Sequence, residues 1–531
     1  MKKLLFFLVF SVSIFFTAYA GYVIRGINVS FSLNNLKNYT LTIDGDGNPR
    51  AAASLHTNLG ISMGRNTIAI VPSYYSPFPV PCFPVFPNLE EDFDIEVRDF
   101  HYVSSNDTYV LCGARITSSH SYAFIAEIDL NAFPVPSMNY MEYSEADIFY
   151  SLCVPNNSSL DFYVCGNRND LGVIASIDRL NLNFTHFLIT NEWKWEYHKI
   201  IQHPTNAITP TFIVSGRDPE CTQIGFTIFD LSFSSSNSYY WAELSEPDSH
   251  CVVCNHSTEN DKIILASSYQ SIVTLYPVFL SPIPSQISAY HYNIFTTSSD
   301  KYYVQDIGMS QTNDPFNPLV SVAGFEQYDS SPLHHRAWYG ATGLNILAPM
   351  RNTNYSHQDN GLYEHYKIRY DQNGVLYTGG YFESGFQQCA LFGTPGTNAK
   401  ECDIDYHSEY PVTDIVTFFQ FGLTEQFFLA DDFITFYIQP LSMDAYDICD
   451  PFKSVAAPEL APTIEDESEI ITFFDRITLK DTPTNTNYQI YNIMGQLIQA
   501  GTTNPDISTA QLIKGIYILR LENGKVFKFV K

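Results

Sequence analysis

The chain reads as all-β, a repeated body followed by a small separate β unit, on three observations. Val, Ile, Tyr and Phe recur in short runs, and aromatics make up 15% of the 531 residues, which suits pleated, half-buried surfaces. A short apolar run ending on a small residue returns about every fifty positions. Near the end, a stretch rich in Pro, Ala and acids interrupts this rhythm, and a different strand pattern follows. No long segment spaces apolar residues at three and four positions, which argues against an α-rich body.

Hydrophobic residues at 45% and charged residues at 16% describe a folded chain. The balance of 28 basic to 56 acidic side chains gives a formal charge of −28. Nucleic acid is disfavoured as a partner, because neutralising phosphates needs clustered Lys and Arg. The charge reads as solubility. The N-terminus, "MKKLLFFLVFSVSIFFTAYAG", places Lys2 and Lys3 before an apolar run from Leu4 to Phe16 and a small-x-small site at Ala18-Tyr19-Ala20. Residues 1–20 are therefore expected to be a secretory signal peptide cut after Ala20. No later segment is long and apolar enough to span a bilayer, so no transmembrane helix is expected in the mature chain. Ten cysteines, an even number, permit disulfides in an exported protein. Cys153 with Cys165 across "VPNNSSLD", and Cys389 with Cys402 across "FGTPGTNAK", are the pairs a hairpin would bring together.

The repeat is anchored on Gly113, Gly166, Gly216, Ala266, Gly324, Gly379 and Ala430, in steps of 50 to 58 residues. A second strand follows several anchors and closes near Asp129, Asp178 and Asp230. An apolar segment precedes them, as in "IEVRDFHYV", "ADIFYSLCV" and "YEHYKIRYD", with hairpin turns such as "SSND", "NNSS" and "DQNG" between. Three or four antiparallel strands per unit, about seven times over, describe a β-propeller, with six to eight blades compatible with the spacing. Stacked blades cover each other's apolar faces, and a small anchor permits close backbone approach where inner strands converge. The even spacing argues against the alternative, an assembly of β-sandwiches. Over about residues 90–450 the body resembles the broad propeller group that includes kelch-like and related bacterial extracellular repeats, without a strict WD dipeptide or a full kelch signature. The body is assigned to residues 21–450. Within it, residues 21–90 fit the repeat poorly: "YVIRGINVSFSL" and "NTIAIVPSYYS" are expected to close the last blade or to form an extra one. "SPFPVPCFPVFPN", with Cys82, reads as a Pro-rich connector.

Residues 451–465 read as a linker and 466–531 as the final unit. There, "YNIMGQLI" gives strand-turn-strand with Asn492 and the turn Gly495. "ISTAQLIKGIYILRL" then brings Leu512, Gly515, Ile516 and Tyr517, before a short basic end strand. This unit resembles the C-terminal sorting domain of the type IX secretion system of Gram-negative bacteria. "DESEIITFFDR" stands where the family has an Asn-Pro-rich opening strand. The resemblance implies a small β-sandwich with Asn492, Gly495, Gly515 and Tyr517 in the sorting signal. It also implies the secretion machinery as partner, and delivery of the cargo to the medium or the outer cell surface.

Few constellations suggest chemistry. "HCVVCNH" holds His250, Cys251, Cys254 and His256 at a spacing zinc tolerates, but a second ligand half is missing, so strand or disulfide roles are expected and no metal. "DGDGN" from Asp44 imitates the start of a calcium loop, but Pro49 and Leu55 occupy the sixth and twelfth positions, so a turn is expected and calcium is only weakly supported. "SPLHHRAWYG" offers His334, His335, Arg336 and Trp338 as a candidate sugar- or anion-binding loop. In "NEWKWEYHK", Trp193, Trp195 and Tyr197 share one strand face, for stacking a sugar or, by the commoner use, for packing between blades. No nucleophile elbow, zinc-protease helix motif, phosphate loop or dinucleotide fingerprint is present. The expected function is an extracellular binding or scaffold role toward a polysaccharide or surface protein, without a cofactor. The alternative is a carbohydrate-active enzyme, a glycoside hydrolase or lyase, using acidic residues at the propeller channel.

Overall fold

Apolar runs flanked by Asn, Asp, Gly and Ser produce short strands joined by tight turns. A computed structural model describes the strands and tight turns between residues 24 and 530; residues 1–23, 450–469 and a set of connecting loops lie outside the described residues. The residues expected to be signal peptide and linker, and Ala430, therefore lie outside them. The described residues form no helix, and the chain divides into two compact units, Met1–Pro451 and Phe452–Lys531.

In the first unit, strands follow one another as antiparallel meanders of four. Their lead strands are Asn34–Ile43, Phe93–Val103, Ile148–Cys153, Glu196–His203, Val252–Asn255, Lys301–Met309 and Leu362–Tyr370. Six meanders are continuous in sequence. The seventh supplies three strands and takes its fourth from the N-terminus, where Ile24–Val29 pairs with Gln387–Gly393. Each lead strand packs against the next in order, and Leu362–Tyr370 also packs against Asn34–Ile43. The apolar core lies between consecutive meanders. Val110, Ile125 and Met141 of the second meet Phe149, Val164 and Val173 of the third, and Ile213, Phe226 and Trp241 of the fourth meet Val253, Leu265 and Tyr276 of the fifth.

Residues 403–449 depart from the repeat reading, which set a further unit around Ala430. They contribute one edge strand to each meander in turn, in reverse order. Asp403–His407 joins the sixth, Val412–Thr417 the fifth, Phe419–Phe421 the fourth and Leu423–Gln426 the third. Ile434–Pro440 bridges the second and first, and Met443–Cys449 ends on Ile24–Val29 of the seventh. Phe418 seats among Phe226, Tyr239 and Trp241, while Phe421 stacks on Trp193 and packs on Trp195. Residues 34–84 make a full meander, and Ile24–Val29 completes the last one.

The anchor glycines have a more specific cause than crowding where inner strands meet. Five lead strands carry a bulge opposite or beside the anchor, at Val97/Asp99, Phe149/Ser151, Tyr197/Lys199, Val304/Asp306 and His365/Lys367. At four of the five, the bulge tips a carbonyl onto the glycine; at Gly379 a Cβ would instead meet the Leu41 side chain at 3.1 Å. A Cβ would lie 1.8 Å from the Glu96 oxygen at Gly113, 1.8 Å from that of Ile148 at Gly166, 2.1 Å from that of Glu196 at Gly216 and 1.8 Å from that of Tyr303 at Gly324. Bulge and glycine are one device. Gly166→Ala should therefore cost about 3 kcal/mol or more, an overpacking penalty at the high end, read as a lower urea midpoint. A loss below about 1 kcal/mol would show that the bulge relaxes freely.

The expected Cys153–Cys165 disulfide is not formed. Both are buried free thiols, as are Cys112, Cys221, Cys251 and Cys254. The strands do form a hairpin, but Cys153 stands opposite Tyr163 and Cys165 opposite Ser151, so the thiols are diagonal and not facing. The side chains of Cys389 and Cys402 lie outside the described residues.

The second unit has a three-stranded and a four-stranded antiparallel sheet. They share one core of Ile477, Leu479, Tyr488, Ile490, Ile507, Leu512, Tyr517, Leu519 and Leu521.

Candidate functional site

A bulge sets two successive residues on the same side of a strand. The pairs are Arg98-Asp99, Tyr150-Ser151, His198-Lys199, Gln305-Asp306 and Tyr366-Lys367. The first members form a stacked layer. Arg98 lies 5.5 Å over the Tyr150 ring and pairs with Glu96. Tyr150 meets His198 and His250 edge-on at 5.5 and 5.8 Å, and the two imidazoles stack at 4.4 Å. His198 Nδ1 accepts the Cys251 N–H at 3.1 Å. Burial, reinforced by nearby cations, holds both histidines well below their usual 6.5, so they are neutral. The void left in this layer, about 20 Å³, has room for about one water.

The second members form a buried ion cluster. Asp99 Oδ1 accepts from Arg369 Nη2 at 2.9 Å and lies 3.6 Å from Lys367 Nζ. Its Oδ2 accepts from Ser151 Oγ at 2.7 Å and from the Leu152 N–H at 3.0 Å, with His101 Nε2 at 3.4 Å. Asp306 Oδ1 pairs with Lys199 and accepts from its neighbour's N–H. Its Oδ2 accepts from Ile368 N at 3.0 Å and Arg369 Nη1 at 2.9 Å. Arg369 thus bridges carboxylates of the second and sixth meanders from the seventh. Burial pushes both carboxyls up, but their cations outweigh it. Lys367, His101 and Arg369 hold Asp99 well below the carboxylate range, and Lys199, Arg369 and Lys367 lower Asp306. Burial lowers Lys199, against the pull of Asp306.

Beyond this cluster opens a cavity of about 370 Å³, lined from five meanders. Its lining mixes polar Asp99, His101, Ser151, Lys199, Arg369 and Asp371 with apolar Ile200, Ile201, Ile307, Ile368, Met309 and the ring of Tyr370.

The residues singled out in sequence are dispersed. His334 lies outside the described residues, as do Gly495 and Gly515. His335 pairs with Glu364 and stacks on Phe325 at 4.7 Å. Arg336 lies 3.9 Å from Glu326, and Trp338 is fully buried, edge-on to Tyr302. Trp195 and Tyr197 are buried between meanders and Trp193 packs beside them, the packing role and not a platform. "DGDGN" is a turn in which Asp44 accepts the N–H groups of Asp46 and Asn48 and the Nε of Arg50. "HCVVCNH" is split: His250 joins the stacked layer, Cys251 and Cys254 enter different core clusters, and buried His256 lies beside Glu259. Among the described residues, no group of three or more His, Cys, Asp or Glu is placed to hold a metal ion. Asn492 stands opposite Tyr517, which is buried in the tail core.

The bulge pairs escaped the sequence reading. Their signal is a short motif, "RDF", "YSL", "HKI", "QDI" or "YKI", recurring 13 to 19 residues before each of the five anchor glycines. It emerges only when the repeats are aligned on the glycine and the strand is allowed a bulge.

Residues 473–531 match the family model described as the secretion system C-terminal sorting domain. The match begins just after the strand Ile470–Thr472, where the sequence departs from the family's opening. The chain is thus cargo of the type IX secretion system, whose machinery reads this domain, and is secreted or held at the cell surface. A search of curated proteins finds no match to the chain. Among the described residues, no helix is long and apolar enough to cross a membrane.

Proposed function

We propose that the body is a seven-bladed β-propeller that binds a ligand outside the cell, delivered by its C-terminal sorting domain after removal of residues 1–20 as a signal peptide. Seven meanders whose lead strands neighbour one another in sequence order, with the last against the first, support the propeller. The fourth strand of the last blade, taken from the N-terminus, supports closure of the circle. In this reading residues 21–450 are the propeller, 451–465 a linker and 466–531 the sorting unit.

The observation that carries binding over hydrolysis is the state of Asp99 and Asp306. A glycosidase acid must hold a proton near neutral pH, which needs a raised pKa. Asp99 and Asp306 are instead pulled down, and every oxygen of the two is engaged. They fasten the blades and have no proton to donate. Incubating the purified protein with a panel of polysaccharides should show retention without reducing-end release. Release of sugars that stops in an Asp99→Asn variant would favour the carbohydrate-active reading instead.

Deleting residues 466–531 should leave the protein in the periplasm. Its arrival in the medium or on the surface would remove the sorting role.

A further inference from the structure

We propose that the cavity of about 370 Å³ takes the terminal sugar of a neutral glycan, so that the body recognises chain ends and not chain interiors. This deepens the binding reading and rests on it, the propeller included. With the lead strands as the walls of one channel, the cavity is closed on one side. The ion cluster forms that end: Arg369 spans from Asp99 to Asp306, and Lys199 of the fourth meander pairs with Asp306 of the sixth. One residue back along the lead strands stands the stacked layer of Arg98, Tyr150 and His198. The void left there, about 20 Å³, has room for about one water. A polymer cannot thread through two such layers, so only its end can enter.

The volume lies in the lower range of small-ligand sites, of order 300–1,000 Å³. At about 30 Å³ per water it holds roughly twelve waters, the space of about one or two sugar rings. The lining suits a neutral, hydroxyl-rich ligand. Cluster and wall together set three carboxylates, Asp99, Asp306 and Asp371, against three cations, Lys199, Lys367 and Arg369. No formal charge is left for an ion to balance, and burying an unbalanced ion is costly. Donors are left, however. Lys199 gives two of its N–H groups to Asp306 and to the Ile307 carbonyl, leaving a third. Arg369 makes three hydrogen bonds from its five donors, to Asp306, Asp99 and the Ile368 carbonyl. Hydroxyl and ring oxygens accept from such donors, and the C–H groups of a sugar suit the apolar part of the lining, such as Ile201, Met309 and the Tyr370 ring.

Titration calorimetry on the full-length protein tests this with maltohexaose, mannohexaose, xylohexaose and trigalacturonate as probes. At least one neutral hexaose should bind with a Kd of about 1 mM or below, and about tenfold or more tighter than trigalacturonate. An equal mass of the matching polymer, amylose, mannan or xylan, should offer fewer sites, in proportion to its chain ends. Ile201→Trp adds bulk to the lining and should weaken the hexaose about tenfold or more. Met309→Trp, from another meander, serves the same purpose if Ile201→Trp does not fold. Sites in proportion to polymer mass overturn chain-end recognition and leave the binding reading standing. Trigalacturonate as the tightest probe overturns the neutral ligand. No hexaose binding up to about 10 mM, or binding unchanged in a folded cavity variant, overturns the site itself. The binding reading is then decided separately, by the polysaccharide panel.

Discussion

Arg369→Ala should destabilise the body by about 3–5 kcal/mol, the largest single loss expected in the molecule. The guanidinium reaches Asp99 and Asp306 at 2.9 Å each, and those carboxylates are 2% and 0% exposed. Truncation leaves two buried anions sharing Lys199 and Lys367, and the link from the seventh meander to the second and sixth is gone. Arg369→Lys should recover only part of the loss, because an ammonium is one point charge and cannot span both acids as a planar fork does. Urea unfolding of wild type and both variants measures this directly. A loss below about 1 kcal/mol, or full recovery with Lys, would mean the bridge is incidental.

The second large effect is acid lability that begins near pH 6.5. His198 and His250 are held neutral, with folded pKa values well below 6.5. In the unfolded chain they protonate through 6.5, so below that pH the unfolded state binds more protons and stability falls. It keeps falling until the folded pKa values are reached. Each group contributes up to about 1.4 kcal/mol per pH unit, so the pair should remove about 2–4 kcal/mol between about pH 7.5 and 5. A separate loss follows lower down. Asp99 and Asp306 have depressed folded pKa values, so their contribution is complete above 3.8 and disappears as pH falls further toward those values. Chemical denaturation across this range should show the first decline, and His198→Gln with His250→Gln should reduce it, leaving the part from His203, His256 and His291, which burial also lowers. A flat profile in wild type would mean that the imidazoles are charged or solvated in the folded state.

How far the sequence could be read depended on how local each signal was. The hairpins were legible because strand, turn and strand lie within about twenty residues, and the tail because "YNIMGQLI" and "KGIYILRL" are compact patterns. The anchor glycines were visible, but their cause was not, since a bulge breaks the two-residue period by which strands are recognised. The interior site was hidden for the same reason: Asp99, Lys199 and Asp306 look like isolated charges until the chain folds them together. The cysteines misled because even number and export favour disulfides, whereas these thiols occupy small apolar positions in the core. The edge strands of residues 403–449 could not be seen at all, being short and paired with partners far upstream.

That last segment bears on the order in which the chain can assemble. Its first pairing is near home, Asp403 with Tyr355, and its last, Met443 with Val29, spans almost the whole body. Taken singly, the distant pairings would each close a long loop at a heavy entropic cost. Taken in sequence, each newly docked strand leaves the next only a few residues from its partner, so one long closure becomes a row of short ones. Docking then proceeds in one direction, and its final step joins the two ends of the body just before the sorting domain begins.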